Sequence, residues 1–193
     1  QDARVLLATF SEPLAQALKT KLRRLIGGEP RLAERIDVHS LDAFGLRLYK
    51  SHFGPARLAT RSQLGDTIRS ASQAVGGHKF TKSFLLTEWD QVVDAWQLAT
   101  WDAYRDVARL GRKTRLAEAQ RAVLWDIFER ARQSLKEQGL MTRPAVFTAL
   151  AAQLAGAKNT PFDFAVVDEL QDVSVSQLRF LAALGGSRPN ALF

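Results

Sequence analysis

Two adjacent carboxylates, Asp168 and Glu169, follow directly on the apolar run Phe164-Ala165-Val166-Val167, and a third, Asp172, comes after Leu170-Gln171. The run has the length and composition of a buried strand. Open parallel sheets bind ligands at the carboxyl ends of their strands. Paired acids delivered there can hold Mg²⁺ and polarise a water, which is what hydrolysis of a nucleoside triphosphate requires. A lone Asp-Glu pair is more often a helix cap or a solvated loop. The full pattern D-E-x-Q-D is tighter: at about 5% usage per residue type, chance produces it in roughly one chain in a thousand of this length.

Such acids need a phosphate cradle, normally G-x-x-x-x-G-K-[ST]. The sequence contains none. Its nearest approach, Gly111-Arg112-Lys113-Thr114, lacks the upstream Gly and has Arg between Gly and Lys. That stretch belongs instead to a basic cluster, Arg105, Arg109, Arg112, Lys113, Arg115 and Arg121, suited either to phosphate contact or to a solvated helix face. Trp89 and Trp96 stand at helical spacing and read as core. Trp101, beside a break, is the better candidate for exposure and base stacking.

Strands and helices must position these groups. Arg4 to Phe10 and Arg35 to Ser40 read as short strands. A helix follows each. The first has Ser11 as N-cap, Pro13 in its first turn, Leu14, Leu18, Leu22 and Leu25 at helical spacing, and Gly27-Gly28 as its stop. The second carries Leu41, Phe44 and Leu48 on one face. Strand-helix-strand-helix order predicts an α/β fold with a parallel sheet. From about Gly54 the chain is polar, with scattered Gly and no strand signal. Helical patterns then carry Trp89, Val92, Val93 and Trp96, next Val123, Leu124, Ile127, Phe128, Ala131 and Leu135 up to Gly139, and last Arg143 to Gly156. The α/β pattern resumes at Phe162. The expected organisation is α/β over 1–55, a mostly helical insertion over 56–159, and α/β again over 160–193.

The 193 residues include 27 Lys and Arg against 20 Asp and Glu, a formal charge of +7. This excess suits an anionic partner, most commonly nucleic acid, although a basic soluble protein has the same balance. With no cysteine, disulfides, zinc thiolates and Cys nucleophiles are excluded, in keeping with a reducing, cytoplasmic setting. No apolar run approaches the roughly 18 residues of a membrane span, and the N-terminus lacks the order of a signal peptide. The chain opens without Met almost directly into a strand pattern and closes on "PNALF", another strand opening. A piece of a longer protein is expected.

"AVVDELQDVSVSQ" resembles motif II, the Walker B variant, of superfamily 1A DNA helicases of the UvrD/Rep-like group, with Asp168, Glu169, Gln171, Asp172 and Gln177 matching. Leu170 departs mildly from the family's usual Ala, Phe or Cys. "VLLATFSEPLAQALKTKL" is similar to motif Ia and "DVHSLDAFGLRL" to motif Ib. The resemblance implies a partial RecA-like (P-loop NTPase) sheet with a 1B-like helical insertion, from an ATP-dependent helicase or translocase of DNA repair type. It implies ATP and Mg²⁺ as cofactors, and single-stranded and duplex DNA as partners. Asp168 would position Mg²⁺, Glu169 would activate the attacking water, Gln171 would sense the γ-phosphate, and Asp172 would support the site. Thr9, Phe10, His39 and Ser40 would contact single-stranded DNA. Arg109, Arg112, Lys113 and Arg115 would form a basic DNA face on the insertion. The phosphate cradle would precede Gln1, so the piece alone is expected to be inactive. Two alternatives stay open: a DNA- or partner-binding module with a degenerate ATPase site, and the helicase part of a helicase-nuclease.

Overall fold

A computed structural model describes residues 3–109, 115–155, 157, 160–169, 173–186 and 188–193. The chain divides into two compact units, residues 1–56 with 146–193, and residues 57–145.

The first unit is α/β. Strands β1 (Val5–Thr9), β2 (Ile36–Ser40) and β3 (Phe164–Val167) form a parallel sheet in the order β2-β1-β3. Val5 pairs with Ile36 on one side and Phe164 on the other, so the three strands run level. Helix α1 (Glu12–Ile26) joins β1 to β2, with Ser11 Oγ accepting from the Leu14 amide and Gly27 at the stop. A single turn, α2 (Pro30–Ala33), precedes β2, and α3 (Leu41–Phe53) follows it. One sheet face is sealed by Leu6, Ala8 and Ala165, and by a cluster in which Phe44 meets Phe162 at 5.6 Å and Phe180 at 6.0 Å between ring centroids.

The other face is thinner. Phe164 and Val166 remain more than a third exposed, so β3 alternates instead of being buried on both sides as its apolar run predicts. Leu25, expected on the inner stripe of α1, is 84% exposed, while Leu22 and Ile26 are half-buried. At its far side β3 takes a further parallel pairing. The Ala165 amide donates to the Ala191 carbonyl at 2.8 Å, and the Phe193 amide to the Ala165 carbonyl at 2.9 Å.

The second unit is helical: α4 (Arg61–Val75), α5 (Lys82–Glu88), α6 (Trp101–Asp106) and α7 (Glu118–Glu137). The polar stretch after Gly54 hides α4, which closes its N-terminus with a capping box between Thr60 and Gln63 and buries Leu64, Ile68 and Ala71. A π-helical turn, Trp89–Val93, continues α5. The Asp94 amide bonds to the Trp89 carbonyl and the Leu98 amide to the Val93 carbonyl, each five residues back. This wider step turns Trp96 off the stripe, leaving it 36% exposed while Trp89 is buried. Trp101 packs half-buried against this core and is not presented as a free stacking platform.

The boundary expected at 159–160 lies instead in the first turn of α8 (Arg143–Ala155). From Val146 onward α8 belongs to the first unit: the Phe147 ring meets Phe180 of α9 (Val175–Gly185) at 5.4 Å between centroids, tilted by 57°, and a Cβ on Gly45 would fall 2.5 Å from the Phe147 ring. Among the described residues no helix is long and apolar enough to cross a membrane.

Asp94 is a buried acid in the second unit. Its carboxylate accepts from Thr142 Oγ1 at 2.7 Å, yet burial first, and the nearby Asp90 charge, push its pKa from 3.8 to about 6. The folded state therefore holds a proton that the unfolded chain releases. The resulting stabilisation is complete below pH 4 and is lost as pH rises through 6, amounting to about 3 kcal/mol. Asp94→Asn is expected to remove this slope. Urea unfolding of wild type and variant at several pH values checks it: their stability difference should shift by that amount between pH 4 and 7.

Candidate functional site

The level register brings three loop entries to one sheet edge. Phe10 follows β1, His39 and Ser40 end β2, and Asp168 and Glu169 follow β3. Thr9 pairs with Ser40 across the sheet, and the Asp168 amide donates to the Ala8 carbonyl at 2.9 Å. Groups separated by up to 160 positions in sequence thus share the carboxyl edge of a parallel sheet, where such folds bind ligands.

Asp168 and Glu169 are both exposed at this edge. The Glu169 amide donates to Asp168 Oδ1 at 3.0 Å, folding the first carboxylate back over the turn. Glu169 has φ of 60°, the left-handed region that non-glycine residues avoid. Such backbone strain, of order 1–3 kcal/mol, gathers at functional positions. Gln171 and Asp172 lie outside the described residues. Gln177, matched in the same motif, is structural: its Oε1 accepts from the Ser174 amide at the start of α9, and its Nε2 donates to Asp42 Oδ1 at 3.0 Å.

The expected DNA contacts separate. Phe10 is 49% exposed at the edge, with its ring free of other aromatic partners among the described residues. His39 is half-buried and stacks on Phe44; burial first, then the Arg47 charge, holds its imidazole below the ordinary value. Thr9 lies in the central strand with no exposed surface. Its Oγ1 has no hydrogen-bond partner. Ser40 is also enclosed. It is buried, its hydroxyl donates to Glu12 Oε2 at 2.7 Å, and it accepts from the Ala43 amide as the N-cap of α3. Glu12, whose carboxyl is held below its usual value chiefly by that bond, was not marked by any sequence pattern.

The basic cluster of the second unit is also reduced. Arg109 does not face solvent: its guanidinium grips Glu88 through two bonds of 2.6 and 2.7 Å, with both side chains almost wholly buried. Glu88 Oε1 also accepts from the Tyr104 hydroxyl at 3.2 Å. Burial and the Glu88 charge raise the Tyr104 phenol well above its usual range. Arg121 donates to the carbonyls of Tyr104, Arg105 and Val107, and Arg105 pairs with Asp102 and Asp106. Three of the six cations thus hold the segment around α6. Arg115 is exposed, while Arg112 and Lys113 lie outside the described residues.

Two exposed carboxylates at a sheet edge supply hard oxygen donors. Among the described residues no group of three or more His, Asp or Glu stands together as a metal cage. Two carboxylates alone leave most positions around a hard divalent cation to other oxygen donors. No protein-family model and no curated protein sequence matches the chain.

Proposed function

We propose that the chain is part of an ATP-driven motor on DNA, of the UvrD/Rep-like kind, with a RecA-like first unit. The observation that carries this reading is the gathering of Phe10, His39 and the Asp168-Glu169 pair on one carboxyl edge, with Glu169 in a left-handed backbone. Asp168 would hold the ion through water. Glu169 would take a proton from the attacking water. Mg²⁺, when bound, supplies neutralisation of the phosphate charge. Such a motor needs a phosphate cradle, and no Gly-Lys-Ser/Thr loop is present in residues 1–193.

The same lack favours a second reading, a DNA-binding module whose ATPase site is degenerate. Steady-state ATP turnover by the full-length gene product, with and without single-stranded DNA, separates the two. Stimulation by DNA is the outcome expected of a motor; no turnover with any nucleic acid leaves the binding module.

Phe10 offers a separate check. Stacking of a base on an exposed aromatic contributes about 1–3 kcal/mol. Phe10→Ala is expected to weaken single-stranded DNA binding about tenfold or more in fluorescence anisotropy, with thermal stability unchanged. An unaltered affinity would remove Phe10 from the DNA path.

A further inference from the structure

A cavity of about 390 Å³ opens along the outer side of β2, the edge strand of the first unit's sheet. It lies between α1, the end of α2 and α3. Its walls divide by chemistry. Leu22, Ile26 and Ile36 supply a half-buried apolar floor. Lys19, Arg23 and Arg47 supply cations, and His39 joins the lining. The single acid in the lining, Asp37, is paired away by Arg4, whose Nη2 lies 3.0 Å from its Oδ2. Among the described residues no carboxylate forms an ion pair with Lys19, Arg23 or Arg47. The His39 imidazole is held below its ordinary value first by burial; Arg47 and Lys19 also act against its protonation, while Asp37 and Glu12 act for it.

Three cations from two helices beside an apolar floor do not suit a purely apolar ligand, and they do not suit a bare cation. They suit a phosphate ester with a flat apolar body. The volume lies at the small end of the usual range for ligand sites, about 300–1,000 Å³. We propose that this cavity binds one nucleotide unit, its phosphate held by Lys19, Arg23 and Arg47 and its base laid on Leu22, Ile26 and Ile36. The unit belongs to a free nucleotide or to a strand of nucleic acid. The site shares His39 with the proposed DNA edge, but it uses neither Asp168 nor Glu169, and it requires no motor.

The test uses the ¹⁵N-labelled chain without ATP or Mg²⁺, titrated separately with inorganic phosphate, thymidine monophosphate and a short oligo-dT. Thymidine monophosphate is expected to move the amide signals of Lys19, Arg23, His39 and Arg47. Arg23→Glu and Lys19→Glu should each weaken it at least tenfold, while Lys50→Glu, a charge reversal on α3 outside the cavity, changes it less than twofold. Arg47→Met serves as a further variant should a reversal unfold the unit, as thermal melting would reveal. Oligo-dT binding at least tenfold tighter than the monomer identifies a strand as the ligand, and equal affinity identifies the free nucleotide. No movement at these residues overturns the proposal. So do reversals no stronger than Lys50→Glu, or inorganic phosphate binding as well as the nucleotide. Failure here leaves the Glu169 reading untouched, and a chain without ATP turnover can still pass.

Discussion

Replacing Glu169 by Gln in the full-length gene product is expected to lower DNA-stimulated ATP turnover by about 10²–10⁴, the usual contribution of a positioned general base. The amide keeps the size of the carboxylate but cannot accept a proton from water. Binding of nucleotide and DNA should persist, because Asp168 and the proposed DNA edge are unchanged. A second variant separates chemistry from architecture. Glu169 holds φ of 60°, where glycine is at ease. Glu169→Gly should therefore stabilise the first unit by about 1 kcal/mol while abolishing turnover. Turnover of Glu169→Gln within tenfold of wild type would end the hydrolytic assignment. Residues 1–193 alone are expected to show no magnesium-dependent turnover.

Breaking the pair between Glu88 and Arg109 is expected to destabilise the second unit by about 3–5 kcal/mol, a large fraction of the stability of a small domain. Each partner is almost fully buried, so removing one strands a charge where water cannot reach it. Glu88 carries an added duty as acceptor for Tyr104. Arg109→Met should lower the urea midpoint sharply. The double variant Glu88→Gln with Arg109→Met should recover most of the loss, because an uncharged acceptor for Tyr104 remains and no charge is buried. All four tryptophans, at positions 89, 96, 101 and 125, lie in this unit, so their fluorescence reports its unfolding alone. A double variant as unstable as Arg109→Met would show that packing, not charge, holds the segment. An Arg109→Met variant as stable as wild type but weaker on DNA would restore Arg109 to the surface.

Local pattern located the three strands within a residue or two, because a short apolar run between polar breaks has few other uses. The helix start at Ser11 was readable because a cap is a contact between near neighbours. Helix α4 was equally marked by Thr60 and Gln63, but its sparse apolar residues at 64, 68 and 71 were masked by Ser, Gln and Arg. The π-helical turn had no local signal; its effect on Trp96 emerges from packing of Trp89, Val92 and Val93 together.

The sequence by itself determined that an apolar strand ends in Asp168 and Glu169, that the chain carries excess positive charge, and that no phosphate cradle accompanies the acids. Each is a property of neighbouring residues or of a sum over the chain. Only the tertiary structure decided which charges and hydroxyls remain available. Arg109 and Ser40 look alike in sequence to any exposed Arg or Ser, yet one finds Glu88 across 21 positions and the other Glu12 across 28. Arg23 and Arg47, unremarked in sequence, come to face a cavity. Long-range pairing settles such outcomes because a buried charge or hydroxyl must be matched, and the match is chosen by the fold.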